Sequence, residues 1–204
     1  MLKIALTGGI GTGKSYISRL FLGMGIPVYY ADIEAKKFYD TPDVKQKVKD
    51  FLGDKVFAGE EIDLKKMAVE IFSDVDKLYF INSLIHPLIM QDFEQWSREL
   101  PRIHGCARMD DLQERGDNRV VIMESAIIFE NRLEAFFDLI MVVDAPESTR
   151  KERLKKRNDC LTEEMILQRI HAQIPQEEKL KRADIIIDNS VENGEEIIYK
   201  CLIF

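Results

Sequence analysis

Positions 8–15 read Gly8-Gly9-Ile10-Gly11-Thr12-Gly13-Lys14-Ser15, a complete G-x-x-x-x-G-K-[ST] pattern. Four of the chain's eleven glycines stand between positions 8 and 13. Glycine at this density lets a backbone wrap closely around a phosphate, through conformations that a Cβ would hinder. The flanks narrow the choice. Leu2-Lys3-Ile4-Ala5-Leu6-Thr7 is short, mostly apolar and bounded by glycine, so it reads as a buried strand. From Lys14 to Met24 the residues Ile17, Leu20, Phe21 and Met24 share one helical face, and Gly23 and Gly25 supply stop signals. A strand, a glycine-rich turn and a helix in that order present backbone N–H groups and the positive end of a helix to an anion. The turn reads as a nucleotide site, with Gly8, Gly9, Gly11, Thr12, Gly13, Lys14, Ser15 and Tyr16 around the phosphates. Lys14 would reach the transferred phosphoryl group, and the Ser15 hydroxyl would ligate Mg²⁺. The rival account is a glycine-rich turn that only caps a helix.

The rest of the chain continues the alternation that such a loop requires. Pro27-Val28-Tyr29-Tyr30, Val120-Val121-Ile122-Met123, Leu139-Ile140-Met141-Val142-Val143 and Ile185-Ile186-Ile187 read as further strands. Strands this apolar, separated by helices, indicate a five-stranded parallel sheet covered on both faces, an α/β fold of the P-loop kind. Between about 63 and 100 only helical spacing is found: Leu64, Met67, Ala68, Ile71 and Phe72, then Ile85, Ile89, Phe93, Trp96 and Leu100. This predicts a helical insertion over approximately 60–100, interrupted at His86-Pro87, because proline lacks a donor and disfavours a helical residue before it. The polar, aperiodic stretch 101–118 reads as a loop. A second charged helical block runs from 147 to 182. The whole is expected to be a single domain, 1–204.

The chain has 29 Lys and Arg against 36 Asp and Glu, a net charge of −7. That balance argues against a general nucleic-acid binder, which needs a basic face. No apolar run nears the roughly 20 residues that span a bilayer. The start, Met1-Leu2-Lys3, lacks the apolar stretch and cleavage site of a signal peptide, so a cytoplasmic location is expected. Cys106, Cys160 and Cys201 form no pairing or zinc pattern, in keeping with a reducing compartment. A switch GTPase should carry N-K-x-D, and the sequence contains no Asn-Lys pair. Asp50-Phe51-Leu52-Gly53 matches D-x-x-G only as letters, since it follows no predicted strand. The length leaves no room for the paired domains of most motors. A small-molecule kinase is the leading reading.

At this point the sequence resembles the dephospho-CoA kinase family. The resemblance rests on Ile4-Ala5-Leu6-Thr7 with the loop, His86-Pro87, Glu124-Ser125-Ala126-Ile127-Ile128-Phe129-Glu130, and Gln173-Ile174-Pro175-Gln176-Glu177-Glu178-Lys179. Arg182-Ala183-Asp184 and Ile187-Asp188-Asn189-Ser190 complete it. Three departures stand out: Tyr30-Ala31-Asp32 where the family usually has Asp-Ala-Asp, Glu124 where it has aspartate, and a 101–118 stretch longer than the family usually needs. The resemblance implies transfer of the γ-phosphoryl of ATP to the ribose 3′-hydroxyl of dephospho-CoA, giving CoA and ADP, the final step of coenzyme A biosynthesis, with Mg²⁺ required. Partners would be that small-molecule substrate, with no nucleic acid or membrane, in a monomer or weak homo-oligomer. Alternatives are another small-metabolite or nucleotide kinase and a non-catalytic nucleotide-dependent switch.

Roles follow from position and resemblance together. Asp32 ends the second strand segment and matches the family's retained aspartate, so it is the expected base, with a helix N-cap as its structural alternative. Glu124 ends the third strand and would help orient the magnesium shell as a Walker-B carboxylate does, or else face solvent. Arg150, Arg153 and Arg157 lie on one helical face in the densest basic block of the chain, among Lys151, Lys155 and Lys156. A solvated helix is the ordinary account of such a run. The resemblance implies instead a lid over ATP, with Arg153 and Arg157 as catalytic cations beside Lys14, and Lys179 and Arg182 as lesser candidates. It also implies a substrate-side role for His86. Asp188-Asn189 is expected either to border adenine or to form a plain turn.

Overall fold

The structure, a computed structural model, describes residues 1–100, 120–157, 162–171 and 173–190; of these, the side chains of Arg157 and Gln168 are not described. The stretch 101–118, expected to be a loop, and Cys106, Cys160 and Cys201 lie outside them. Two compact units emerge: Ala31–Leu100, and the remainder of the chain.

The larger unit is built on five parallel strands: β1 (Leu2–Thr7), β2 (Val28–Tyr30), β5 (Val120–Glu124), β6 (Leu139–Asp144) and β7 (Ile185–Asp188). Their order across the sheet is β2-β5-β1-β6-β7. β5, β1 and β6 are interior strands with both faces covered, and β2 and β7 are the edges, where Ile186 is 52% exposed. Ile4, Leu6, Val120, Ile122, Met141, Val143 and Ile187 pack with Ile17 and Phe21 of α1 (Lys14–Gly23) in one core cluster. Ala5, Val121, Met123 and Val142, which alternate with them, are equally buried. Each such side chain contributes about 1.5–3 kcal/mol on leaving water. With β1 central, the glycine loop emerges where the connection from β1 goes one way and β6 lies the other. That divergence at the carboxyl ends of strands is where open α/β sheets bind ligands.

Among the described residues, three α-helices follow in the second half: α6 (Glu147–Arg157), α7 (Glu163–His171) and α8 (Gln176–Lys181). The charged block 147–182 is thus divided. Pro175 stands just before α8 as its N-cap residue.

The unit Ala31–Leu100 is wider than the expected insertion over 60–100, because it takes in α2 (Ala31–Phe38) and α3 (Pro42–Leu52). Asp50, Phe51 and Leu52 are the last turn of α3, so the D-x-x-G letters are a helix end with Gly53 as its C-cap. A short hairpin, β3 (Phe57–Ala58) and β4 (Glu61–Ile62), turns at Gly59 with φ 68°. Then come α4 (Leu64–Phe72) and α5 (Val75–Glu99). The expected interruption at Pro87 does not occur, since α5 runs through it for 25 residues. Proline removes one backbone bond, but Ile81, Ile85, Ile89, Met90 and Phe93 continue one buried stripe on both sides of it. Burial along that stripe outweighs the local cost of about 3 kcal/mol.

Candidate active site

Three glycines of the loop have positive φ: Gly8 at 146°, Gly11 at 83° and Gly13 at 94°. A Cβ on Gly8 would stand 2.4 Å from the Val143 carbonyl oxygen, and one on Gly13 would stand 2.1 Å from Asn189 Nδ2. Conformation and space therefore both demand glycine there. Gly13 is also the N-cap position of α1, and no side chain caps that helix. Its first N–H groups and its dipole are presented to the loop's concavity, the arrangement that holds a phosphate.

Lys14 is 9% exposed and its Nζ donates to Gly8 O at 2.9 Å and Gly9 O at 3.2 Å. Thr12 is fully buried and its Oγ1 donates to Gly9 O at 2.9 Å, closing the turn from within. Ser15 and Tyr16 open the helix, Ser15 exposed and Tyr16 packed at the edge of the core. Glu124 ends β5, in register with Leu6 of β1 and Tyr30 of β2, and accepts from Ser18 Oγ at 3.4 Å. Its carboxylate thus ends the strand that pairs directly with β1, the strand that leads into the loop.

The outer side of the loop is braced by the charged helices. Arg150 Nε donates to Ile10 O at 2.9 Å, Arg153 Nη1 to Thr12 O at 3.1 Å, and Arg153 Nη2 to Asn189 O at 2.9 Å. Burial holds the Arg150 guanidinium below the usual arginine value, with Glu147 and Asp144 opposing that shift. Ile10 packs against Leu154, Ile166 and Ile170, so one apolar residue of the loop seats α6 and α7. Arg157 ends α6.

Asn189 is 1% exposed, and its Nδ2 donates to Thr12 O at 2.8 Å. Of its two expected roles it is more than a plain turn, because it grips the loop. Lys179 is fully buried: its Nζ donates to Glu130 Oε1 at 2.6 Å and to Ala126 O at 3.1 Å. Arg182 pairs with Glu134 and lies over the Phe129 ring, 4.5 Å from its centroid. These two cations hold the segment after β5 instead of facing the loop. Removing one partner of the buried Lys179–Glu130 pair would cost about 3–5 kcal/mol through the charge left behind.

Two residues without an assigned role in the sequence reading touch the loop directly. Gly9 N–H donates to Gln176 Oε1 at 2.8 Å, and Ile10 N–H to Gln173 Oε1 at 2.7 Å. Their only sequence signal is the Gln-Ile-Pro-Gln segment carried by the family resemblance.

Two candidate residues belong to the helical unit. Asp32 is exposed in the first turn of α2, which starts at Ala31, so it lies inside the helix rather than capping it from outside. Its charge there favours the helix N-terminus. His86 is half-buried on α5, and loss of solvent holds its pKa down to about 4.

A parallel sheet with this glycine loop at the end of its central strand, a lysine folded into the loop and arginines behind it defines a P-loop kinase of the α/β class. A model of the family described as dephospho-CoA kinase matches residues 2–195. A dephospho-CoA kinase of Bacteroides fragilis is 35% identical over 192 residues, covering 94% of this chain and 86% of that one. Among solved structures, TT1252 of Thermus thermophilus superposes with a TM-score of 0.78 at 27% identity, over 98% of this chain and 95% of its own. The dephospho-CoA kinase of Campylobacter jejuni gives 0.62 at 23% identity, over 98% and 94%, and so speaks for the fold. The chain belongs to the dephospho-CoA kinase family and is a kinase.

Proposed function

We propose that this enzyme transfers the γ-phosphoryl group of ATP to the ribose 3′-hydroxyl of dephospho-CoA, giving CoA and ADP. The observation that carries the reading is Lys14, drawn into a loop whose helix has no side-chain cap. That cradle suits a polyphosphate tail. The acceptor oxygen attacks the γ-phosphorus, the bond from that phosphorus to the β,γ-bridging oxygen breaks, and the hydroxyl proton leaves to a base. Backbone N–H groups of Gly11, Gly13, Lys14 and Ser15 and the Lys14 ammonium hold the phosphates and stabilise the charge that spreads over the transferred oxygens, while the Gly9 and Ile10 N–H groups are engaged by the glutamines behind the loop. Asp32 is the base. Arg157 supplies a cation from a lid over approximately 147–182, and His86 contacts the acceptor. Arg153, expected to supply another, acts instead by steadying the loop through Thr12 O and Asn189 O.

The residues present fit a magnesium ion of the kind bound with nucleotide. Ser15 offers a hydroxyl and Glu124 a carboxylate, both hard oxygen donors, and no group of three His, Cys, Asp or Glu forms a cage among the described residues. Magnesium keeps several waters and shares its shell with phosphate oxygens, so it needs few protein ligands. When bound it neutralises phosphate charge. Ser15 would hold it directly, and Glu124 would orient its waters. No described helix is long and apolar enough to cross a membrane, and we read the enzyme as cytoplasmic, a monomer or weak homo-oligomer.

The test is ADP release from ATP and Mg²⁺, first without acceptor, then across a panel of hydroxyl compounds, with Lys14→Ala as the blank. Release dependent on dephospho-CoA and accompanied by CoA is expected. Release driven by a different acceptor, or nucleotide binding without turnover on any, overturns the assignment.

A further inference from the structure

We propose that Gln173 and Gln176 are positioning residues for Lys14, clamping from behind the two peptide groups that hold its ammonium. The inference rests on the reading of Lys14 as the residue that meets the phosphates.

A trans peptide is planar, so the C=O of one residue and the N–H of the next point in opposite directions from the same rigid plane. The peptide joining Gly8 to Gly9 directs its carbonyl at Lys14 Nζ, 2.9 Å away, and its N–H at Gln176 Oε1, 2.8 Å away. The next peptide, Gly9 to Ile10, repeats the pattern. Its carbonyl accepts from Lys14 Nζ at 3.2 Å, and its N–H donates to Gln173 Oε1 at 2.7 Å. Each plane is thus held at both ends, by the lysine on one side and a glutamine on the other. With no Cβ at Gly8 or Gly9 the backbone itself resists rotation of these planes little. Thr12 Oγ1 and N–H add to the hold on the Gly9 carbonyl, at 2.9 and 3.3 Å, while the glutamines hold the opposite, N–H edge of each plane. The assignment of amide oxygen is fixed by chemistry, since a backbone N–H requires an acceptor.

The glutamines are themselves held. Gln176 Nε2 donates to Val143 O at 3.0 Å and to Asp144 Oδ1 at 2.9 Å, which ties it to the carboxyl end of β6. Gln173 is placed through its backbone: the adjacent Ile174 N–H donates to Glu130 Oε1 at 3.2 Å, the oxygen that also accepts from buried Lys179. Neither glutamine faces the phosphates through these bonds. Both act through the direction of the Gly8 and Gly9 carbonyls, and so through where the Lys14 ammonium rests before and after nucleotide arrives.

Gln173 gives the cleaner test, because its oxygen bonds the loop while Gln176 also bonds β6. Gln173→Met keeps length and loses the acceptor; Gln173→Glu keeps the acceptor. Kinetics with ATP, Mg²⁺ and dephospho-CoA are measured for both, for Lys14→Met, and for Gln173→Met combined with Lys14→Met, each alongside its thermal midpoint. Gln173→Met should lower kcat about tenfold, the scale of one misplaced hydrogen-bonding group, with KM for dephospho-CoA unchanged. Gln173→Glu should stay within about threefold of the parent. In the Lys14→Met background the Gln173→Met change should add nothing, because a residue acting through another has no effect once that one is gone. An equal additional loss in that background, or Glu no better than Met, overturns the proposal. If Lys14→Met is severely impaired and Gln173→Met is fully active, the clamp alone fails. If Lys14→Met keeps parental turnover, the reading of Lys14 fails first. Should Gln173→Met not fold, Gln173→Asn withdraws the same acceptor by one methylene and is read in the same way.

Discussion

Asp32 sits two residues beyond the end of β2 as an exposed carboxylate in the first turn of α2. A helix-capping job would be done by a residue ahead of Ala31, so Asp32, inside the turn, is not the cap, and its proposed role as the base is tested by itself. A positioned base contributes about 10²–10⁴-fold to turnover. Asp32→Asn is therefore expected to bind ATP with parental affinity while losing kcat by that factor, measured by isothermal titration and steady-state assay. Near-parental turnover would move the role to another group. Gly13 illustrates a different kind of constraint. Its φ of 94° and the Asn189 amide 2.1 Å from any added Cβ make it irreplaceable for two separate reasons, only the first of which a motif conveys.

The helix α5 shows how an element overrides its own local signals. His86 and Pro87 are poor choices for a helix interior, yet the apolar stripe from Ile81 to Phe93 holds the helix together through them. His86 is carried into that half-buried position with its pKa held down from 6.5 to about 4 by desolvation. The unfolded chain then binds a proton that the folded chain refuses, so the unfolded state gains as pH falls. The stability at issue is complete above about pH 6.5 and is lost progressively toward pH 4, about 3 kcal/mol in all. Between pH 6.5 and 5 the loss should be about 1.5 kcal/mol. Urea unfolding at those two pH values should show it in the parent and not in His86→Gln, which has no proton to take up. Equal slopes in both would remove His86 as the cause.

For the molecule as a whole, the phosphate loop is where sequence-distant parts of the larger unit meet: β1 supplies the turn, α6 the arginines, the 173–176 segment the glutamines, and Asn189 the last brace. A nucleotide in that loop should therefore stabilise more than the loop. At a hundred times its Kd, ATP adds about 2.7 kcal/mol to the folded state, about 5–10 °C in the midpoint of a chain this size. Thermal scans with and without ATP and Mg²⁺ should show that rise in the parent and a much smaller one in Lys14→Ala; no rise in the parent would remove the nucleotide site. How much of this was open to reading in the chain follows from range. The three interior strands, β5, β1 and β6, are apolar on both faces and the edge strands β2 and β7 are short apolar runs, so all five could be recognised, and the loop is a contiguous motif whose chemistry is local. The two-residue strands β3 and β4 are too short to show alternation, and the persistence of α5 through Pro87 depends on a buried stripe rather than on its neighbours. The glutamine clamp joins residues 167 and 163 positions apart. No periodicity or spacing spans such an interval, because hydrogen bonds form between groups that folding brings near. Local chemistry is written along the chain; the direction in which a carbonyl points exists only once the distant groups that hold it are in place.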